Sequence, residues 1–96
     1  MNQVVVFHQN GCPACHEYLP RFKRLAVKYR SFLNIQTPNL NRSSRPIQDA
    51  AIAYKITAAP TTLVLDANDK VLRSRVGAIP DEQIEALFKF ASGQAR

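Results

Sequence analysis

No apolar run in this chain approaches the ~20 residues that a membrane-spanning helix needs, so no membrane insertion is expected. The opening MNQVVVF has no positive segment before its apolar run and no small-residue cleavage pattern, which argues against export and for a cytoplasmic location. Cysteine is scarce. Cys12 and Cys15 are the only two, which rules out a disulfide framework. A pair this closely spaced gains little as a staple, and reducing compartments keep ordinary thiols reduced. The spacing therefore points to redox chemistry or metal binding. Methionine occurs only as Met1, and tryptophan is absent. Acidic residues are outnumbered, seven against thirteen basic ones, for a net charge of +6. That charge can attract acidic partners or nucleic acid, although a basic, solvated surface is the simpler reading. There is neither an internal repeat nor a dividing linker, so the 96 residues read as one domain, 1–96.

What is present begins with residues 4–7, β-branched and aromatic without alternation, as in a central strand covered on both faces. Gln9, Asn10 and Gly11 supply a turn. Cys12 then stands at the mouth of a helix, and Pro13 suits its first position. The helix is expected to run to about Arg30, with Leu19, Phe22, Ala26, Tyr29 and Leu33 as its apolar stripe and Pro20 as an interior kink. Arg21, Lys23, Arg24, Lys28 and Arg30 crowd its second half and read as a solvated face that complements the helix C-terminus. Residues 32–36 form a short strand, 37–46 a loop, and 47–54 a second helix using Ile47, Ala51, Ile52 and Tyr54. Residues 61–65 and 71–76 form a hairpin across a turn at 66–69. Gly77 ends it, and Pro80, Asp81 and Glu82 open a last helix whose apolar face is Ile84, Leu87, Phe88 and Ala91. Residues 92–96 form a tail.

A sulfur at a helix start meets unpaired backbone N–H groups and the positive end of the helix dipole, and both favour the thiolate. The dipole contributes only about 0.3–1 kcal/mol at an exposed site, well under one pKa unit, so hydrogen bonds to Cys12 are needed as well. A protonated His16, four residues on, would add to them. Two further readings attach to the same residues. Cys12-Pro13-Ala14-Cys15-His16 satisfies the C-x-x-C-H pattern of covalent haem attachment, but the chain is not mainly helical and offers no methionine beyond Met1. Cys12, Cys15, His16 and His8 could ligate zinc, but no second paired cluster accompanies them.

The order of elements and motifs resembles the thioredoxin superfamily over nearly the whole length. Cys12-Pro13-Ala14-Cys15 follows a strand, and Pro20 lies five residues past the second cysteine. The run from Tyr54 to Thr61 is similar to the segment leading into the family's cis-proline, here Pro60. Val76-Gly77-Ala78 resembles the end of its last strand. The resemblance implies an α/β, thioredoxin-like fold in its minimal form, βαβαββα, with a four-stranded mixed sheet flanked by three helices. It also implies a thiol–disulfide oxidoreductase, a protein-disulfide reductase, with Cys12 and Cys15 as catalytic residues and no cofactor or metal. Gly11, Pro13, Ala59, Pro60, Gly77 and Ala78 would contact substrate. The implied partners are disulfide-containing protein substrates and either a thioredoxin reductase or glutathione as electron donor, with a monomeric chain and no role for nucleic acid. Cys-Pro-x-Cys also resembles glutaredoxins, so a glutathione-linked oxidoreductase is an alternative, as is a basic partner- or nucleic-acid-binding module on the same fold. Three departures stand out. Val6 stands where thioredoxins keep a buried aspartate, and His8 and Gly11 replace the two tryptophans that flank the thioredoxin motif. Ala78 replaces the second glycine of the glutaredoxin double-glycine element.

Overall fold

A computed structural model describes residues 1–42 and 44–93; Ser43 of the expected loop and residues 94–96 of the expected tail lie outside the described residues. The elements in chain order are β1 (Gln3–Phe7), α1 (Pro13–Ala26), a 3-10 turn (Val27–Tyr29), β2 (Asn34–Gln36), α2 (Arg45–Ala53), β3 (Thr61–Leu65), β4 (Val71–Val76) and α3 (Asp81–Ala91). This is the expected βαβαββα order. The sheet runs β2-β1-β3-β4, with β1 parallel to β2 and antiparallel to β3, and β3 antiparallel to β4.

The central position of β1 explains its unbroken apolar sequence, since both of its faces are covered. Val4 and Val6 face a core shared with α1 and α3, where Tyr18, Phe22, Tyr29, Ile84 and Phe88 pack. Val5 and Phe7 face the opposite side with Leu63 and Leu65, where Ala50 and Tyr54 close over them. On the α1/α3 side, Phe22 and Phe88 lie 5.1 Å apart between ring centroids, and Tyr29 stacks on Phe88 at 5.0 Å. Burying each such side chain contributes about 1.5–3 kcal/mol.

Several boundaries differ from the sequence reading. The core stripe of α1 contains Cys15, Tyr18, Phe22 and Ala26, so Tyr18, at 0% exposure, takes the place expected of Leu19, which is only partly buried. The Tyr18 hydroxyl bonds to that of Thr62. The helix continues through Pro20 but ends at Ala26, and the chain winds on as a tighter 3-10 turn. The strand expected from Phe32 starts at Asn34, because the N–H groups of Phe32 and Leu33 both donate to the Tyr29 carbonyl and close that turn; Phe32 is 56% exposed. The second helix begins at Arg45 with Pro46 in its first turn, inside the expected loop. Its expected anchor Ile52 is 76% exposed, and Ala50 and Tyr54 make the core contact. The acidic start of α3 explains part of the basic run on α1: Arg21 and Arg24 pair with Asp81, and Lys28 with Glu85. The run is thus in part a tie between helices rather than only a solvated face. No described helix is long and apolar enough to cross a membrane.

Candidate functional site: the cysteine pair at the head of α1

The chain leaves β1 at Phe7 and turns through residues 8–11. Gly11 has φ +65°, the left-handed region that favours glycine, and an added Cβ there would meet nothing within 4 Å. The glycine therefore serves backbone shape rather than close packing. Cys12 follows as the N-cap of α1 in extended conformation, and Pro13 occupies the first turn, where its missing N–H costs nothing. Cys12 Sγ accepts a hydrogen bond from the Cys15 backbone N–H at 3.1 Å. The first turn of α1 contains no acidic residue. An orphan N–H, the positive helix end and the absence of nearby first-turn carboxylates all favour negative charge on this sulfur.

Cys12 and Cys15 form a disulfide, with Cα atoms 5.2 Å apart. Their accessibility differs sharply. Cys12 is half-buried, whereas Cys15 is 2% exposed, on the core face of the helix. An incoming sulfur can reach the first but not the second.

The other expected site residues fall into two groups. Ala59 and Pro60 lie beside the pair: the Ala59 carbonyl oxygen is 3.7 Å from Cys12 Sγ, the Ala59–Pro60 peptide is cis, and Pro60 is fully buried. Gly77, at φ +97°, joins through its N–H, which donates to the Pro60 carbonyl at 2.8 Å. Ala78 is exposed beyond it. On the opposite flank, Gly11 and Pro13 line an open cavity of about 820 Å³, together with His8, Asn10, Cys12, Cys15 and His16. None of Ala59, Pro60, Gly77 and Ala78 lines that cavity, so the disulfide separates two surfaces. The four residues of the zinc reading do not converge: among the described residues no group of three or more His, Cys, Asp or Glu could hold a metal ion, and His8 Nε2 is turned to the Thr37 carbonyl at 3.0 Å.

A family model for the Thioredoxin-like domain matches residues 2–92. The chain belongs to the thioredoxin-like family. Among curated proteins it is 29% identical over 86 residues to the mitochondrial thioredoxin of Mus musculus and 28% identical over 86 residues to that of Bos taurus, covering 90% of this chain in each case. It spans about half, 49%, of the length of these relatives. Among solved structures, the germline-specific thioredoxin Deadhead of Drosophila melanogaster superposes with a TM-score of 0.78 at 24% identity, over 93% of this chain and 79% of that one. The oxidised thioredoxin of Plasmodium falciparum gives 0.76 at 18% identity, over 95% and 81%. These structural likenesses establish the thioredoxin-like fold. The fold and the close cysteine pair together are consistent with a thiol–disulfide oxidoreductase.

Two parts of the site were not legible as such in the sequence. One is a brace of asparagines under the turn: Asn39 Nδ2 donates to Asn10 Oδ1 at 3.0 Å, and the Asn10 backbone N–H donates to Asn41 Oδ1. The concentration of Asn at 39 and 41 suggested only a loop. The other is the buried pair Tyr18–Thr62, whose hydroxyls meet at 2.8 Å one turn below Cys15. Burial pushes the Tyr18 phenol above its ordinary pKa, against the lowering effects of the Thr62 hydrogen bond and of Arg21.

Proposed function

We propose that this chain, as one thioredoxin-like domain over residues 1–96, reduces protein disulfides by cycling between a Cys12–Cys15 dithiol and disulfide. The observation that carries this reading is the asymmetry of the pair: a half-buried Cys12 whose sulfur accepts the Cys15 N–H, and a Cys15 buried one turn behind it. In the reduced protein the Cys12 thiolate attacks one sulfur of a substrate disulfide and expels the other as a thiolate. Cys15 then loses its proton and attacks Cys12, closing the Cys12–Cys15 bond and releasing the substrate's second thiol. Two electrons pass to the substrate, and no bound organic cofactor takes part.

Substrate backbone would lie along Ala59 and Pro60, with Gly77 and Ala78 at the far end of the groove and Gly11 and Pro13 beside the attacking sulfur. The contact of the Ala59 carbonyl with Cys12 Sγ supports that placement. The proposed partners are disulfide-containing proteins as substrates and a thioredoxin reductase as electron donor, with the chain acting as a monomer. The mitochondrial thioredoxins support a reductase-type donor, and the proposed location is the cytoplasm.

The test measures insulin-disulfide reduction and recharging of the oxidised protein. Cys12→Ser is expected to abolish turnover, and Cys15→Ser to accumulate mixed disulfides with substrate. Recharging by NADPH with thioredoxin reductase, and not by glutathione, is expected. Recharging by glutathione alone would move the chain to the glutaredoxin class, and full activity of Cys12→Ser would end the reading.

A further inference from the structure

The proposed cycle requires the buried Cys15 thiol to lose a proton before it can attack, and among the described residues no carboxylate is buried in the core. Val6 is fully buried there among apolar side chains. The buried polar pair Tyr18 and Thr62 is mutually hydrogen-bonded, and the phenol's raised pKa keeps it protonated. That pair cannot serve as a base.

The next residue along the same face can. Strand side chains alternate. Val4 and Val6 face the α1 side and Val5 and Phe7 the other, so His8 continues the row that faces α1. The strand pairing also continues past Phe7. His8 forms an isolated parallel bridge to Asn39, its N–H donating to the Pro38 carbonyl at 3.1 Å and its carbonyl accepting from Leu40 N–H at 2.7 Å. Both backbone groups of His8 are therefore held by the segment 38–40. The ring is held as well, because Nε2 lies 3.0 Å from the Thr37 carbonyl, which can only accept, so Nε2 carries a proton. In the neutral ring Nδ1 is then left as an acceptor. The half-buried imidazole lines the same open cavity as Cys12 and Cys15.

We propose that His8 is the proton acceptor for Cys15 in the resolving step, a role that rests on the disulfide-exchange reading above. The Cys15 S–H proton passes to His8 Nδ1 through water in the cavity. The Cys15 thiolate attacks Cys12 Sγ as the Cys12–substrate bond breaks, and the expelled substrate thiolate takes up a proton that the imidazolium returns to solvent. The other titratable groups facing this cavity, His16 and Glu17, both sit on α1 with the cysteines, and the facing stretch at 37–41 contributes none. His8 is thus the one base in the cavity that does not ride on the cysteine helix.

The test is the reaction of the reduced protein with excess 5,5′-dithiobis(2-nitrobenzoate), whose leaving thiolate is coloured and needs no protonation. Attack by Cys12 gives a first release that depends on reagent concentration, and resolution by Cys15 gives a second, independent of it. The second rate is measured against pH in the unsubstituted protein and in His8→Gln, and the two profiles should differ in shape. His8→Gln can still donate to the Thr37 carbonyl. It should slow the second phase at least about 100-fold at neutral pH, with the first phase kept. An unchanged second phase in His8→Gln overturns the inference alone, whereas a missing first phase in the unsubstituted protein overturns the cycle itself. If His8→Gln fails to fold, the His8 ring titration is followed by NMR in the reduced protein and in Cys15→Ser. Identical curves overturn the inference, and displaced curves support it.

Discussion

Removing the hydroxyl of Tyr18 tests the buried polar link between α1 and β3. Tyr18 is 0% and Thr62 1% exposed, and the hydroxyls meet at 2.8 Å. No buried side-chain N or O among the described residues lacks a partner, and these two hydroxyls find theirs in each other. In Tyr18→Phe the Thr62 hydroxyl stays buried and unsatisfied, which costs about 1–3 kcal/mol; Thr62→Val leaves the Tyr18 hydroxyl in the same position at about the same cost. Replacing both removes donor and acceptor together from a pocket already shaped for a ring and a β-branched side chain. The double variant should therefore lie within about 1 kcal/mol of the parent rather than at the sum of the single losses. For a domain of this size a loss of 2 kcal/mol lowers Tm by about 8–16 °C. Thermal and urea unfolding of the four proteins gives the coupling energy directly, expected at about 1–6 kcal/mol, the sum of the single losses less that of the double variant. Strictly additive losses would refute the reasoning, because they would mean that the two hydroxyls do not depend on one another.

Two further outcomes follow from the core. Phe88→Ala should cost about 3–5 kcal/mol in urea unfolding, because Phe88 is fully buried and joins Phe22 and Tyr29; a loss below about 1 kcal/mol would show that the three rings are not a unit. Alkaline stability should fall in a defined window. Burial, with the hydrogen bond to Glu85, pushes the Tyr29 phenol up to about 12 from the ordinary 10.0, and Tyr18 and Tyr54 are also raised. A group with a raised folded pKa contributes stability that is complete below its unfolded pKa and is lost as pH rises through the folded one. The loss should therefore run from about pH 10 to about 12, and Tyr29→Phe should reduce it, read from denaturant midpoints and ultraviolet phenol titration.

How much of this was legible in the sequence depended on the range of the interaction. The all-apolar β1, the proline at the helix head after Cys12, the hairpin of β3 and β4 and the face of α3 are local patterns, and each was read correctly. Tyr18 was missed because residues 18 and 19 both fit the helical period with Phe22, and the choice was settled by a hydroxyl on a strand 44 residues away. Ile52 was misplaced because α2 touches the core through only part of its surface, so hydrophobicity alone did not mark the buried side. The asparagine brace and the hold on His8 join segments about 29 residues apart, which no local pattern encodes. The cysteine pair was legible at once, but its unequal exposure depends on how α1 lies on the sheet.

That inequality also governs time. On the proposed cycle, the buried partner waits one helical turn behind the attacked sulfur, with only 5.2 Å between the two Cα atoms. Resolution is then an intramolecular event with a high effective concentration, which reagents in solution compete with poorly. Every adduct on Cys12 meets the same waiting sulfur, and the acidity of the thiol it must release decides how soon it goes. The protein sets the attack, and the client sets how readily it leaves.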